Sequence, residues 1–153
     1  AELLSSINQT LAPKTAPSKF VTVFLGVLDP ASGVVKFANA GHTPPLVLRS
    51  GSVEVLRTTD MVAGLFVQAQ YRDQSTTLGP SDALLMFTDG VIEAENERGE
   101  ELGHEAVCVT ATDWHGSDAP TLIERLEKSV LYFSGNTPLG DDLTILALSR
   151  APA

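Results

Sequence analysis

With 153 residues, 43% of them hydrophobic, the chain can bury one sizeable core, so we expect a single domain spanning residues 1–153. Its formal net charge of −9, with 10 basic residues against 19 acidic ones, argues against binding to nucleic acid, which needs clustered Lys and Arg. No run of about 20 apolar residues is present, so we expect no insertion into a membrane.

The beginning of the sequence predicts one helix followed by a β-hairpin. Residues 2–11 place apolar side chains at helical spacing, which predicts an amphipathic helix that Pro13 and Pro17 end. Residues 20–28 are rich in Val, Phe and Leu, which predicts a buried strand, and residues 34–38 predict its hairpin partner. The Asp, Pro, Ser and Gly residues between these strands are typical of a tight turn.

The middle of the sequence predicts further strands joined by turns. Residues 46–48 and 53–56 flank a turn that contains Gly and Ser, and they predict a second hairpin. Residues 71–78 alternate loosely between polar and apolar side chains, and residues 83–88 are the clearest predicted strand. Tight turns between successive strands favour antiparallel pairing.

The end of the sequence predicts two helices and a final strand. Residues 105–111 predict a short helix, and residues 119–133 predict a longer one, with Asp118 as its N-cap. Residues 143–148 predict the last strand. Because the helices are grouped rather than alternating with strands, we predict the α+β class.

None of the cysteine and histidine residues is interpreted as catalytic. Cys108 lies in an apolar run without a local histidine to activate it, so we expect a small buried side chain. One thiol cannot form an intramolecular disulfide, which is consistent with a reducing cytoplasm. For His42 we favour a ring nitrogen that holds a turn over a role as acid or base. His104 and His115 have polar neighbours, and we expect them to be exposed and without a role.

Two acidic motifs at the ends of predicted strands form the candidate site. Asp89 follows the strand at 83–88, and Asp141 precedes the strand at 143–148. If these strands pair in antiparallel fashion, the two carboxylates converge, and a divalent cation would offset their repulsion. Oxygen ligands favour Mg²⁺ or Mn²⁺ over Zn²⁺. The alternative is that both motifs are ordinary turn residues that bind no metal.

Six short motifs occur in order along the chain. They are FVT at 20–22, NAGHTPP at 39–45, LGPSD at 78–82, FTDGVIEA at 87–94, LG at 102–103 and DDLT at 141–144. Single motifs are weak, but in this order and spacing they resemble the SpoIIE/RsbU branch of the PP2C (PPM) serine/threonine phosphatases. The resemblance covers nearly the whole chain from about residue 20, and it implies a sandwich of two antiparallel β-sheets flanked by helices.

This resemblance implies a metal-dependent protein phosphatase with two bound Mn²⁺ or Mg²⁺ ions. Asp89 and Asp141 match metal-binding aspartates of the family, and Asp142 is a further ligand or an orienting group. Gly90 and His42 occupy supporting positions. A metal-activated water would attack the phosphorus of phosphoserine or phosphothreonine directly. The expected substrate is a phosphorylated STAS-domain anti-anti-sigma factor in bacterial signalling, and an upstream sensor domain is compatible with the resemblance.

The sequence departs from the family pattern at its start. The Gly-Asp-x-Tyr/Phe-Asp element, which supplies a bridging carboxylate, and the Asp-Val-x-Gly-His-Gly element are absent. Residues 1–11 resemble the helix that follows both, so we expect the sequence to begin partway through the domain and to be inactive or weakly active alone. The alternatives are a non-catalytic phosphatase-like domain that binds a signalling partner, and exchange of strands between copies of the chain. Residues 63–66 also differ from the family's Gly-x-Pro-Leu-Gly.

Overall fold

A computed structural model describes residues 1–16, 18–57 and 60–152, so the predicted role of Pro17 in ending the first helix lies outside the described residues. Within those ranges, no helix combines the length and the hydropathy that crossing a membrane requires. The elements in chain order are α1 (Glu2–Leu11), β1 (Val23–Leu28), β2 (Val34–Ala40), β3 (Leu46–Arg49), β4 (Ser52–Val55), β5 (Gln74–Thr77), β6 (Ala83–Phe87), α2 (Asp89–Ile92), α3 (His104–Ala111), a 3₁₀ turn (Thr112–Trp114), α4 (Ala119–Ser134) and β7 (Ile145–Ser149).

The chain divides into two compact units, and each unit is built from two separate segments. The first unit comprises Ala1–Pro44 and Arg57–Thr77, and the second comprises Pro45–Leu56 and Leu78–Ala153. The expectation of one domain over residues 1–153 stays a prediction.

The first unit contains a three-stranded antiparallel sheet in the order β1-β2-β5. β1 and β2 form the predicted hairpin. Its turn is closed by the Asp29 amide, which donates to the Val34 carbonyl (2.9 Å), and by the Gly33 amide, which donates to the Asp29 carbonyl (2.8 Å). The prediction of a buried first strand is wrong, because β1 lies at the edge of this sheet and leaves Val27 67% exposed. The buried strand is β2, at the centre of the sheet.

Helix α1 forms over the predicted residues, and one buried polar side chain anchors a loop to it. Leu4 packs in a small apolar cluster with β2. Asn8 is fully buried, and its Nδ2 donates to the carbonyls of Phe66 (2.9 Å) and Val67 (3.3 Å). Its Oδ1 accepts from the Gly64 amide (2.8 Å). Because a buried amide group is costly unless it is hydrogen-bonded, these three bonds hold the loop on α1.

The second unit contains a four-stranded antiparallel sheet in the order β4-β3-β6-β7. β3 and β4 form the predicted second hairpin, and β6 pairs with β3 on one side and with β7 on the other. The sheet contributes to an apolar cluster with α3 and α4, so β6 is fixed both by hydrogen bonds and by packing. Buried members of this cluster include Leu46, Leu85, Phe87, Val107, Leu122 and Leu126.

The long helix α4 is confirmed with its predicted N-cap, whereas α2 was not predicted. The Thr121 amide donates to the Asp118 carboxylate over 3.0 Å, and Pro120 lies in the first turn of α4. Hydrogen bonds from Thr121 lower the pKa of Asp118 below its usual value. α2 has four residues, which is too short for a helical period to show in the sequence.

Candidate metal site at two paired strand ends

The candidate site lies where β6 ends and β7 begins. The two strands pair in antiparallel fashion with Phe87 opposite Ile145, which confirms the pairing on which the predicted convergence of the acidic motifs depends. One residue further, the Thr88 amide donates to the Thr144 carbonyl over 3.0 Å. The two acidic segments are therefore held side by side although they are far apart in sequence.

Gly90 lets the two acidic segments approach closely. It is buried, and a Cβ atom at this position would lie 2.6 Å from the Asp142 carbonyl oxygen and 3.4 Å from that of Asp141. A carbon–oxygen separation as short as the first is a steric overlap, so the contact requires glycine. The Thr88 hydroxyl meets the same Asp142 oxygen and donates to it over 3.0 Å. Both contacts fix the backbone before β7 against the end of β6.

The three predicted ligand aspartates present exposed carboxylates. Asp89 Oδ1 accepts a hydrogen bond from the Gly90 amide (3.1 Å), and Asp141 Oδ1 accepts one from the Asp142 amide (2.7 Å). Within the described part of the chain, no basic side chain forms an ion pair with any of the three. Uncompensated carboxylate oxygens are the chemistry that a hard divalent cation prefers.

The number of ligands at the strand ends is small. Among residues 1–16, 18–57 and 60–152, no group of three or more His, Cys, Asp and Glu side chains could hold a metal ion. Mg²⁺ commonly keeps several waters and binds through only one or two carboxylates. The carboxylate oxygens of the aspartates are therefore suitable ligands for such an ion. Two carboxylates without further protein ligands would bind it weakly.

An acidic cavity of about 300 Å³ adjoins the strand ends, and Gly90 and Asp141 line it. The segment after α2 contributes three more carboxylates, those of Glu93, Glu95 and Glu101, and the lining contains no basic side chain. An antiparallel bridge between Glu95 and Glu101 gives this segment a defined shape. The negative charge of the site therefore extends beyond the candidate metal ligands.

Arg98, the basic residue closest in sequence to Asp89, is paired within that acidic segment. Its guanidinium lies 2.9 Å from the Glu100 carboxylate. A hydrogen bond from Asn96, together with Arg98, lowers the pKa of Glu100. Arg98 does not line the cavity, so it does not neutralise the carboxylates there.

His42 lies in the first unit, in the turn after β2. Its Nδ1 is 2.8 Å from the Thr43 carbonyl oxygen. The Asn39 side chain brackets the same turn, accepting from the His42 amide (2.8 Å) and donating to the His42 carbonyl (3.0 Å). Gly41 has φ +73°, and a Cβ there would lie 2.5 Å from Val62 Cγ1. These contacts agree with a turn-holding role for His42, which stays a prediction.

The expectation that His104 and His115 are exposed is wrong, and the expectation that they have no role stays a prediction. Both are partly buried: His104 packs its ring near Phe87, with ring centroids 6.0 Å apart, and His115 Nε2 lies 3.6 Å from Asp82 Oδ1. His104 Nδ1 is also 3.4 Å from Cys108 Sγ, so this cysteine does have a histidine neighbour. The signal was present in the sequence, because residues four apart on a helix lie on the same face.

Comparison with known proteins relates nearly the whole chain to one family. The sequence profile described as "Stage II sporulation protein E (SpoIIE)" matches residues 1–151. The chain is 27% identical over 132 residues to Protein IcfG of Synechocystis sp., covering 86% of this chain and 21% of that protein. It is 23% identical over 159 residues to phosphoserine phosphatase RsbU of Bacillus subtilis, covering 98% of this chain and 45% of that protein. The chain thus spans less than half the length of either relative.

A solved structure supports the fold independently of sequence. The phosphatase domain of the cell fate determinant SpoIIE from Bacillus subtilis, presoaked with Mn, matches with a TM-score of 0.73 at 19% identity, covering 98% of this chain and 65% of that one. At this identity the likeness concerns the fold alone. It confirms the predicted α+β class with two antiparallel sheets and helices.

Proposed function

The chain belongs to the SpoIIE family of PP2C-like phosphatase domains, and on that basis we propose that it takes part in metal-dependent hydrolysis of phosphoserine or phosphothreonine in a partner protein. The observation that carries the proposal is the antiparallel pairing of β6 with β7. It supports two aspartates from distant parts of the sequence serving one metal centre.

In this proposal Asp89 and Asp141 hold the cation, and Asp142 is a further ligand or an orienting group. The Gly90 amide orients the Asp89 carboxylate, and the Asp142 amide orients that of Asp141. When bound, Mn²⁺ or Mg²⁺, with two ions in the complete domain, supplies an activated water and offsets charge on the transferring phosphoryl group. His42 is proposed to hold its turn in the first unit.

The proposed substrate is a phosphorylated STAS-domain anti-anti-sigma factor in a bacterial signalling pathway. RsbU, which matches 98% of this chain, is named a phosphoserine phosphatase. This name supports the phosphate ester of phosphoserine as the bond that is hydrolysed. We propose a cytoplasmic location, since the single cysteine cannot form an intramolecular disulfide. An upstream sensor domain would fit the small share of each relative that the chain spans.

A second candidate function is a phosphatase-like domain that binds a signalling partner without catalysis. The observation that favours it is the small ligand set, since the described residues contain no group of three metal-binding side chains. Two carboxylates bind a cation weakly, so we expect the 153-residue chain alone to have little activity. Activity that depends on Asp89 favours catalysis over the binding function.

The test is Mn²⁺-dependent hydrolysis of p-nitrophenyl phosphate and of a phosphoserine peptide. The 153-residue chain and the longest natural protein that contains it would both be assayed, with Asp89→Asn, Asp141→Asn and the control Asp113→Asn. Asp113 is exposed in the second unit and does not line the cavity. We expect the two site variants to lose at least about 100-fold in activity and the control to match wild type.

The outcomes separate the candidate functions. Activity that Asp89→Asn leaves unchanged contradicts the proposed metal site. Absence of activity in the longest protein, with retained binding of a phosphoprotein partner, favours the binding domain. Strong activity of the 153-residue chain that Asp89→Asn abolishes keeps the site and refutes the expected weakness of the chain alone.

A further inference from the structure

Thr88 occupies the N-cap position of α2 but does not cap that helix. Its backbone has φ −76° and ψ 165°, the extended conformation usual for an N-cap residue, and yet its side chain makes no capping hydrogen bond. Threonine at an N-cap ordinarily accepts a hydrogen bond from an amide of the first helical turn. The Thr88 hydroxyl therefore forms its hydrogen bonds outside α2.

The hydroxyl of Thr88 bridges two backbone groups of the opposite segment. It donates to the Asp142 carbonyl (3.0 Å) and accepts from the Thr144 amide (3.0 Å). A hydroxyl has one donor and two acceptor sites, so both bonds form at once. The Thr88 amide adds a third bond to the same segment, to the Thr144 carbonyl (3.0 Å). Thr88 thus contacts the residues on both sides of Leu143.

The same carbonyl is held from a second side. The Asp142 oxygen that accepts from Thr88 is the atom that a Cβ at Gly90 would approach to 2.6 Å. The residues before and after Asp89 therefore both contact one carbonyl of the Asp141–Asp142 segment. Movement of that segment along or away from β6 breaks one contact or the other.

We propose that Thr88 is a positioning residue, whose hydroxyl fixes the Asp141 and Asp142 carboxylates relative to Asp89 and so sets the affinity of the site for a divalent cation. The inference rests on the proposed function, because it assumes that these aspartates bind the ion. Threonine suits the role because its branched Cβ restricts χ1 and keeps the hydroxyl aimed at the neighbouring strand. Valine has the same shape without the hydroxyl, and serine has the hydroxyl without the branch.

The test compares Thr88→Val and Thr88→Ser for Mn²⁺ affinity, measured by the electron paramagnetic resonance signal of free Mn²⁺ during titration of the chain. Groups that orient metal ligands typically contribute about 10–100-fold in metal affinity, so we expect Thr88→Val to bind at least about tenfold more weakly. Thr88→Ser should stay within about threefold of wild type. The matched control is Thr110→Val, which removes an exposed hydroxyl of α3 that bonds only its own helix.

A second readout reports the contact without any metal. Amide hydrogen exchange at Thr144, followed by NMR, should be faster in Thr88→Val than in wild type, since its acceptor is gone. Unchanged Mn²⁺ affinity in a folded Thr88→Val protein overturns the inference, even if its unfolding temperature falls. A Thr88→Ser protein as weak as Thr88→Val also overturns it.

Different results would refute the role of Thr88 and the proposed metal site. If wild type binds Mn²⁺ and Asp89→Asn abolishes binding while Thr88→Val does not, the metal site stands and the role of Thr88 is refuted. If the longest natural protein that contains the chain binds Mn²⁺ no better than its Asp89→Asn variant, the metal site itself is refuted, and the inference falls with it.

Discussion

Replacing Gly90 by alanine tests whether the contact between the strand ends is as tight as the structure shows. Gly90 lies in α2 and has no positive φ, so its backbone conformation suits alanine, which is favoured over glycine in helices by about 1 kcal/mol. The added Cβ would lie 2.6 Å from the Asp142 carbonyl oxygen. Ordinary carbon–oxygen contacts begin near 3.3 Å, so the two segments must separate by roughly 0.7 Å.

Two opposing terms set the expected effect of Gly90→Ala on stability. Overpacking of a tight contact costs about 1–3 kcal/mol, and the helical preference for alanine offsets about 1 kcal/mol of that. We therefore expect the free energy of unfolding to fall by about 1 kcal/mol. Because a displacement near 1 Å can cost about 100-fold in a positioned site, we also expect Mn²⁺ affinity to fall at least about tenfold.

Urea unfolding followed by tryptophan fluorescence measures the first quantity, since Trp114 is the only tryptophan and is buried in the second unit. Titration with Mn²⁺ measures the second. Gly140→Ala is the matched control, because Gly140 also lines the cavity and has no positive φ, and its Cβ would have no atom within 4 Å apart from those of the two adjacent residues. A Gly90→Ala protein that gains stability and keeps its Mn²⁺ affinity would refute the reasoning.

Two further predictions concern each unit separately. In the first unit, Asn8→Ala should lower the free energy of unfolding by about 1–3 kcal/mol, because it leaves the buried Gly64 amide without its acceptor. Gln9→Ala, on the exposed side of α1, should have little effect, and equal thermal stability of the two variants would contradict this. In the second unit, the folded-state pKa of Asp118 is lowered, so its contribution to stability is present above its unfolded pKa and is lost as the pH falls through the folded one. The urea midpoint of Asp118→Ala should therefore lie below that of wild type at pH 7. The difference between the two midpoints should shrink below about pH 4. A difference that stays constant with pH would show that the charge of Asp118 does not contribute to the cap.

The elements that the sequence predicted well are those in which local chemistry and long-range packing agree. The apolar run at 83–88 forms β6 over Ala83–Phe87, a strand with neighbours on both sides in which every residue except Met86 is buried. Asp118 lies before a helical period and caps α4 as predicted. The convergence of the two acidic strand ends followed from antiparallel geometry once β6 and β7 were assumed to pair.

The features that sequence reasoning missed depend on contacts between distant residues. Nothing in the residues around Phe20 to Leu28 indicates that the strand lies at a sheet edge, which only the strand order decides. The hydrogen bonds of Asn8 reach 56 to 59 residues along the chain, so helical periodicity could not reveal them. The bridging hydroxyl of Thr88 was likewise hidden, because its partners lie 54 and 56 residues further along the chain and the sequence shows it only as the last residue of a predicted strand.

The interleaving of the two units has a consequence for how the second sheet can be assembled. Both acidic strand ends lie after residue 78, but β6 also needs β3, which belongs to the segment Pro45–Leu56. A truncated chain that starts at residue 78 would leave β6 with one neighbour. The backbone groups of β6 that pair with β3 would then be free to pair with other chains. During synthesis, the β3–β4 hairpin must likewise wait for β6 to emerge before it can complete its sheet. The short hairpin at 46–55 thus completes the sheet whose strand ends carry the acidic segments.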